Sequence, residues 1–427
     1  MKVLLFSLLL LMGGFAMAED AVSTKPEARA IWVVRYDMTT PQNIQRVVDT
    51  AVKYNFNAII VQVRGRGDAY YLNGLEPRAE ALDKQPADFD PLQTAIDLGH
   101  KSGLQVHAWL NTCYVWGGTS KPKDPKHVVN AHPEWLMADR LGSVPLVASP
   151  NLEGAFLDPG NPDARKHIHD VFLDVARRYN VDGIHFDYVR YPNRDMGFND
   201  SDIKAFKSTI LPALTPEERE AMDLMPARDA WPAMYPAKWA QWRRDNVTGL
   251  VRRIYKDVKA IKPNVAVSAA LIPWGAFTKW EDSEPYNSTF QDWFGWMREG
   301  ILDIAIPMTY HTDTGQWAGW VKAAMENRHK THLWAGIGDW LLTGASDAEK
   351  VKVGRTLGVQ GISFFAFDSL MGEDPESTVK DASKLDTLLK TVYQQKVPVP
   401  DFRAPQPDAK APEAVLPKPS EAEQPRW

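Results

Sequence analysis

Short apolar runs alternate with amphipathic segments eight times along this chain of 427 residues. The runs are rich in Val, Ile and aromatic residues, which is typical of strands buried on both faces. In the segments between them, apolar residues recur every three or four positions, as in helices. The predicted strands are Ala30–Arg35, Ala58–Arg64, Gln105–Asn111, Gly183–Val189, Val265–Ala270, Leu302–Met308, Leu333–Gly338 and Gly361–Phe367.

Eight strand–helix units predict an α/β fold in which a parallel sheet closes into a (β/α)8 TIM barrel. An open doubly wound sheet is the alternative, but no glycine-rich phosphate-binding turn follows the first strand. Long loops follow strands 3 and 4, at Thr112–Asn161 and Asn193–Trp231. Because a barrel carries its active site at the carboxyl ends of its strands, these loops are predicted to wall a substrate cleft.

Both ends of the chain differ from this pattern. Lys2, an apolar run over Val3–Met12 and the small-x-small sequence Ala16-Met17-Ala18 predict a signal peptide at residues 1–18. A membrane span needs about 20 apolar residues. We therefore predict a secreted or periplasmic protein with no membrane span, the alternative being an uncleaved N-terminal anchor. The barrel is assigned to residues 19–396.

Proline recurs among charged and small residues from Val397 to Trp427. This composition predicts a disordered or extended tail at residues 397–427. A solvated tail is the favoured interpretation, and contact with a cell wall or a partner is the alternative.

Charge and cysteine content exclude several classes of protein. A net charge of −5 offers no basic field for nucleic acid. The lone Cys113 excludes an internal disulfide and a cysteine-rich metal site.

Strand alternation predicts that Val61 and Val63 point outward and that Trp109 points into the barrel. Polar residues interrupt the predicted strands at other positions whose side chains point inward. Most lie toward the carboxyl ends of the strands, which favours an active site over a buried ion-pair network, the alternative interpretation. These residues are Gln62, Arg64, His107, Asn111, His185 and Asp187, with Arg35 closing the first strand.

Asp187 is the strongest catalytic candidate. It lies at the last turn of strand 4, with Arg190 three residues later and Arg35 or Arg64 on neighbouring strands. Guanidinium groups keep a carboxylate ionised at neutral pH. We therefore expect Asp187 to act as a nucleophile or as a stabiliser of a cationic transition state, and not as a proton donor.

Glycosidic cleavage needs a second carboxyl group, about 5–5.5 Å away for retention or about 6.5–9.5 Å away for inversion. We select Asp313 because it follows strand 6, two strands from Asp187 across the mouth. The other candidates near strand ends are Asp339, Asp368, Glu281, Asp282 and Glu284.

Aromatic residues cluster after the strands, where they could stack on the apolar faces of sugar rings or pack in the core. They are Tyr114, Trp116, Tyr188, Trp274, Trp280, Tyr310 and Trp340. The predicted substrate-binding set is Arg35, Arg64, His107, Asn111, His185, Tyr188, Arg190, Tyr310 and Trp274.

Five stretches resemble the glycoside hydrolase family 10-like (glycosyl hydrolase-like 10) proteins, in order from Arg29 to Phe367. They are Ala30–Val33, Leu157–Pro162, His185–Pro192, Ile306–Tyr310 and Gly361–Phe365. The resemblance implies an exported bacterial barrel that acts on polysaccharide, with Asp187 in the active site. It also implies bacterial cell-wall glycan among the substrates.

We therefore predict a glycoside hydrolase that cleaves O-glycosidic bonds of a poly- or oligosaccharide and uses no cofactor or metal. A non-catalytic carbohydrate-binding barrel is the first alternative. A metal-dependent amide or ester hydrolase, with His107 and His185 as ligands, is the second; hydrogen-bonding roles for these histidines are favoured.

Overall fold

The computed structural model describes residues 25–225, 227–275 and 279–404. Eight parallel strands pair in chain order, and the eighth pairs with the first, so the predicted TIM barrel is confirmed. The strands are β1 Ala28–Val33, β2 Ala58–Arg64, β3 Gln105–Asn111, β4 Gly183–Asp187, β5 Ala266–Leu271, β6 Ile304–Pro307, β7 His332–Gly338 and β8 Gly361–Phe365. The predicted signal peptide lies outside the described residues.

Fourteen α-helices are present in the described part of the chain. They are α1 Pro41–Lys53, α2 Pro91–Lys101, α3 Val128–Ala131, α4 Pro162–Arg178, α5 Asp200–Ile210, α6 Pro216–Asp223, α7 Ala230–Met234, α8 Pro236–Ile261, α9 Glu284–Asn287, α10 Trp293–Glu299, α11 Thr314–Asn327, α12 Gly344–Leu357, α13 Phe367–Leu370 and α14 Lys384–Thr391. Short 3-10 helices lie at Arg35–Met38, Glu80–Leu82, Pro133–Trp135, Leu211–Ala213, Trp280–Asp282 and Asp339–Leu341. None of the helices described has the length and apolarity that a membrane crossing requires.

Local sequence explains where the outer helices begin. The Thr40 side chain accepts a hydrogen bond from the Asn43 N–H and starts α1, and Asp90 does the same for α2. Asn161 caps α4, and a proline follows each of these caps at the first helical position. Such caps satisfy backbone donors that a helix start would otherwise leave free.

Strand alternation builds two separate apolar layers. Val61 and Val63 on β2 point outward and pack in the layer between the strands and the helices. Ile60 on β2 and Trp109 on β3 point inward, where they join Trp32 in the barrel interior. The predicted inward and outward faces of these strands are therefore confirmed.

Both predicted long loops rise above the carboxyl ends of the strands. The loop after β3 contains a two-stranded antiparallel ribbon of Tyr114–Trp116 and Ala155–Phe156. The loop after β4 contains α5, α6 and α7, which pack with α8 around a small core that includes Phe206, Trp231 and Trp239.

The first residues of the predicted tail contact the face of the barrel opposite the carboxyl ends of the strands. The Asn57 side chain donates a hydrogen bond to the Val397 carbonyl, and the Glu27 N–H donates one to the Pro398 carbonyl. Val399 and Phe402 pack against the interior layer. Residues 397–404 are therefore docked on the barrel because they cover apolar side chains, whereas residues 405–427 lie outside the described part.

Candidate active site

Asp187 is the last residue of β4 and its side chain is held by two donors. Trp109 Nε1 donates to Oδ2 at 3.1 Å, and the backbone N–H of Tyr188 donates to Oδ1 at 2.7 Å. Tyr188 has a φ of +48°, in the left-handed region that few non-glycine residues adopt. Such backbone conformations cluster at functional sites.

Burial changes the acidity of this carboxyl group. Asp187 is 9% exposed. Its burial raises the pKa to about 6, although the Tyr188 N–H, Arg190 and Trp109 act in the opposite direction. The sequence led us to expect guanidinium groups to keep Asp187 firmly ionised. At pH 7 a pKa of about 6 still leaves most of the carboxyl ionised, so that expectation stays a prediction, but a protonated fraction becomes available as the pH falls toward 6.

Arg64 is fully buried and pairs with another residue. Its Nε and Nη2 each lie 2.6 Å from a Glu76 carboxylate oxygen, and His167 Nε2 lies 3.0 Å from the same carboxylate. Burial alone would raise the pKa of Glu76, but Arg64 and His167 hold it below its usual range. Arg64 also donates to the Asn111 and Thr112 carbonyls. It therefore anchors the ends of β2 and β3, which argues against the predicted contact with substrate.

A hydrogen-bonded chain leads from β1 to Asp187. Arg35 Nη1 donates to Gln62 Oε1 at 3.0 Å, and Gln62 Nε2 donates to Asn111 Oδ1 at 3.3 Å. Trp109 Nε1 lies 3.0 Å from Asn111 Oδ1, so this one donor serves both Asn111 and Asp187. Arg35 and Asn111 thus belong to a hydrogen-bonded chain that reaches Asp187 through Trp109, and their predicted contact with substrate stays a prediction.

The two predicted histidines lie inside the barrel. His185 accepts from Trp32 Nε1 at 3.1 Å and bonds Ser268 Oγ through Nδ1 at 2.8 Å. His107 is also fully buried, beside Gln105 at the start of β3. Burial lowers the pKa of His107 to about 4 and holds that of His185 well below its ordinary value. Both side chains are neutral core groups, which argues against the predicted contacts with substrate.

Glu153 is a site residue that the sequence did not reveal. Arg190 Nη2 donates to Glu153 Oε1 at 2.8 Å, and Glu153 acts on Asp187 by raising its pKa. Partial desolvation would raise the pKa of Glu153, whose side chain is 42% exposed, but Arg190 lowers it below its usual range. Glu153 lies in the long loop after β3, outside any motif. The available signal in the sequence was Arg190, because a positively charged side chain beside the site is expected to pair with a carboxylate.

Aromatic side chains surround this carboxyl pair. Tyr188 stacks on Tyr114 with ring centroids 5.0 Å apart, and the Arg190 guanidinium lies 4.8 Å from the centre of the Tyr188 ring. Tyr310 and Trp340 meet edge to face at 5.0 Å. The side chains of Tyr114, Tyr188 and Trp340 are partly exposed, as sugar stacking requires.

Tyr310 carries a buried hydroxyl with no hydrogen-bond partner among the described residues. Asp187 is among the charges that raise the Tyr310 pKa, after burial itself, so the two groups lie near each other. A buried polar group without a partner usually indicates a function or a bound molecule. The predicted contact of Tyr310 with substrate would satisfy this hydroxyl, and it stays a prediction.

The other predicted aromatics differ in position. Trp280 stacks on Phe294 with centroids 4.0 Å apart and donates to Asp292, which makes it a packing residue. Trp116 is buried and donates to the Ser120 carbonyl. Trp274 follows β5 and is half-buried, and its Nε1 has no partner among the described residues. Its predicted contact with substrate stays a prediction.

The remaining carboxylate candidates have structural contacts. Asp313 caps α11 by accepting from the Gln316 N–H at 2.7 Å. Asp339 is fully buried and lies 3.3 Å from Lys384 Nζ. Asp368 accepts from the Ser369 N–H. Glu281, Asp282 and Glu284 are exposed on the loop after β5. The described ranges contain no group of three His, Cys, Asp or Glu side chains arranged to hold a metal ion.

Known structures share the fold. The glycoside hydrolase domain of PgaB (BpsB) from Bordetella bronchiseptica is 16% identical, with a TM-score of 0.56 over 82% of this chain and 97% of that domain. The catalytic domain of beta-amylase from Paenibacillus polymyxa is 12% identical, with a TM-score of 0.60 over 87% of this chain and 99% of that domain. These likenesses show that the chain shares its barrel fold with two domains that are named as catalytic or hydrolase domains.

Comparison of the sequence with protein families identifies the family of this chain. The profile described as Glycosyl hydrolase-like 10 matches residues 27–351, so the chain belongs to the glycosyl hydrolase-like 10 family. The glycosyl hydrolase YngK of Bacillus subtilis is 26% identical over 89% of this chain and 75% of that protein. The glycosyl hydrolase DigH of Escherichia coli is 25% identical over 62% of this chain and 56% of that protein.

Replacing Tyr310 by Phe tests the assignment of its hydroxyl. We expect substrate KM to rise about 10-fold, since a hydrogen bond of about 1.5 kcal/mol would be lost. The melting temperature should be unchanged or higher, because no internal bond is removed. Tyr393→Phe is the matched control, since its buried hydroxyl also has no partner among the described residues. An unchanged KM for Tyr310→Phe would contradict the assignment.

Proposed function

We propose that the enzyme hydrolyses O-glycosidic bonds of a polysaccharide with Asp187 as the general acid. The observation that carries the proposal is the buried Asp187 carboxyl at the end of β4, whose pKa is raised to about 6. A proton donor in glycosidic cleavage needs such a raised pKa, and it protonates the oxygen of the leaving sugar. The role differs from the one expected from the sequence, because burial raises the Asp187 pKa by more than Arg190 lowers it.

Glu153 is the second carboxylate that the contacts favour. Arg190 lowers the pKa of Glu153, so up to about pH 6 Glu153 can be ionised while Asp187 still retains a proton. Two carboxyl groups with separated pKa values are the usual arrangement in glycosidases. An ionised Glu153 would stabilise the positive charge that builds on the anomeric carbon. Asp313 stays a prediction for this role, and its capping of α11 favours a structural one.

Bacterial cell-wall glycan is the substrate that we propose first. The resemblance of His185–Pro192 to this family supports it, as does the predicted export signal at residues 1–18, since that polymer lies outside the cytoplasm. Sequencing the N-terminus of protein recovered outside the cytoplasm tests export, with Glu19 as the expected first residue. A screen of the mature enzyme against purified peptidoglycan strands and common polysaccharides tests the substrate. Release of reducing ends from none of them would contradict the proposal.

The proposed acid predicts a pH profile. The protonated form of Asp187 is the active one, so kcat/KM should fall as the pH rises through about 6. Initial rates between pH 4 and pH 9, at a substrate concentration well below KM, measure this fall in kcat/KM. If kcat/KM instead rises through that range, Asp187 must be ionised to act, and the role of acid is wrong.

A further inference from the structure

A cavity of about 540 Å³ lies beside the barrel mouth, apart from the Asp187 carboxyl group. The loops after β3, β4 and β5 contribute to it together with the first turns of α8. Three arginines line it: Arg140, Arg194 and Arg243. Two acids, Asp282 and Glu284, also line it and are exposed.

Arg243 is the unusual member of this lining. It is 4% exposed, and its Nη1 donates to the carbonyls of Arg194 at 2.8 Å and Met196 at 3.1 Å. The buried Nε has no partner, and no carboxylate of the described residues forms an ion pair with Arg243. Burial lowers its pKa to about 9, so the group is still charged at neutral pH. Buried charges in proteins are normally paired. Asp158 and Asp195 act on Arg243 electrostatically, but among the described residues it has no directly paired counter-charge.

The neighbouring charges do not supply that counter-charge. Arg140 is itself satisfied, with Asp195 at 2.9 Å and Asp229 at 3.2 Å. Arg194 is exposed and forms no ion pair within the part of the chain that the structure describes. Asp282 lies 3.8 Å from Lys279, in contact with solvent. The cavity therefore has a cationic wall, in which Arg243 is buried and Arg194 is exposed, and a solvated acidic rim.

This cationic wall adjoins the end of β4. The Arg243 guanidinium lies 3.9 Å from the centre of the Phe290 ring, and Phe290 packs on Tyr191 with centroids 5.5 Å apart. The Tyr191 carbonyl accepts from Arg190, the residue that pairs with Glu153. These contacts link the cavity wall to the end of β4, next to the proposed site.

We propose that Arg243 and Arg194 form a subsite for a carboxylate carried by a sugar of the substrate. Arginine suits this ligand because its planar fork matches a carboxylate. The inference rests on the proposed function and adds to it an acidic substrate. Lactyl ether and uronic acid groups are two sources of this carboxylate.

Binding to the Asp187→Asn protein tests the subsite without hydrolysis. The probes are a tetrasaccharide of alternating N-acetylglucosamine and N-acetylmuramic acid, tetragalacturonate, the methyl esters of both, and chitotetraose. We expect one free acid to bind at least about 10-fold more tightly than its ester, as measured by calorimetry. The acid that shows this difference identifies the source of the carboxylate.

Two substitutions test whether Arg194 and Arg243 cause the preference for the free acid. Arg194→Gln, on the exposed wall, should remove most of the preference for the free acid, and Arg243→Gln should remove it if the variant still folds. Arg253→Gln is the matched control, because Arg253 is exposed elsewhere on α8. Equal binding of acids and esters, or equal behaviour of Arg194→Gln and Arg253→Gln, would overturn the proposal. Wild-type hydrolysis of a neutral polysaccharide would continue in that case, which separates this failure from failure of the proposed function.

Discussion

Replacing Asp187 by Asn is expected to lower kcat/KM on the natural polysaccharide by about 10³-fold, within the range that general acid catalysis contributes. The amide keeps the shape of the side chain but has no proton to give at the pH of the reaction. The descending limb of the pH profile near 6 should disappear in the same variant. Rates of reducing-end release, measured against wild type at equal substrate, give both results.

The same substitution should leave the fold as stable as before, or more so. Because burial raises the Asp187 pKa to about 6, folding favours the protonated form. The stability that this form contributes is present at acid pH and is lost as the pH rises through about 6. An uncharged Asn does not undergo this loss. Its melting temperature at pH 8 should therefore equal or exceed that of wild type, which excludes unfolding as the cause of inactivity.

Two further variants test which residue supplies the second carboxylate. Glu153→Gln should also reduce kcat/KM by at least about 10²-fold. Asp313→Asn should keep the helix cap, since Asn caps nearly as well as Asp. Loss of activity in Asp313→Asn with full activity in Glu153→Gln would assign the role to Asp313 and contradict the proposal for Glu153.

The largest effect on stability is expected from Glu76→Gln. The Arg64–Glu76 pair is buried on both sides, and the substitution leaves a guanidinium without its counter-charge. Breaking such a pair costs about 3–5 kcal/mol of unfolding free energy. Urea denaturation followed by tryptophan fluorescence measures the loss, and the barrel mouth should loosen because Arg64 also binds the Asn111 and Thr112 carbonyls.

Glu373→Gln is the matched control for this prediction. Glu373 pairs with Arg46 on the surface, where both side chains are about half exposed. Such pairs contribute about 0–1 kcal/mol. Replacing both Arg64 by Met and Glu76 by Leu should restore part of the loss, because no unpaired charge is then buried. Equal losses in Glu76→Gln and Glu373→Gln would show that burial of the pair does not matter.

Periodicity made the barrel predictable. Alternation along β2 and β3 placed Val61 and Val63 outward and Trp109 inward, and the predicted bounds of both strands match the structure. Thr40, Asp90 and Asn161 act within three residues of themselves, so their caps could be recognised locally. Asp187 could be placed at the mouth because a strand's last inward residue lies there.

The partners of these residues could not be predicted, because they depend on long-range packing. Arg64 pairs with Glu76 in the loop that follows its own strand, and Arg190 pairs with Glu153 from the preceding loop. Neither loop carries a periodic signal that would fix its path. The Asp187 pKa depends on how much water these loops exclude, which no pattern of residue types records. The docking of residues 397–404 likewise depends on an apolar floor that only the folded barrel presents.

The dependence of rate on leaving group tests the role of Asp187 most directly. Wild type and Asp187→Asn are compared on two glycosides of the sugar that the enzyme releases, one with a 2,4-dinitrophenyl group and one with an alkyl alcohol. The dinitrophenolate leaves without a proton, so the variant should lie within about 10-fold of wild type on it and fall about 10³-fold on the alkyl glycoside. Equal losses on both substrates would show that Asp187 does not protonate the leaving oxygen.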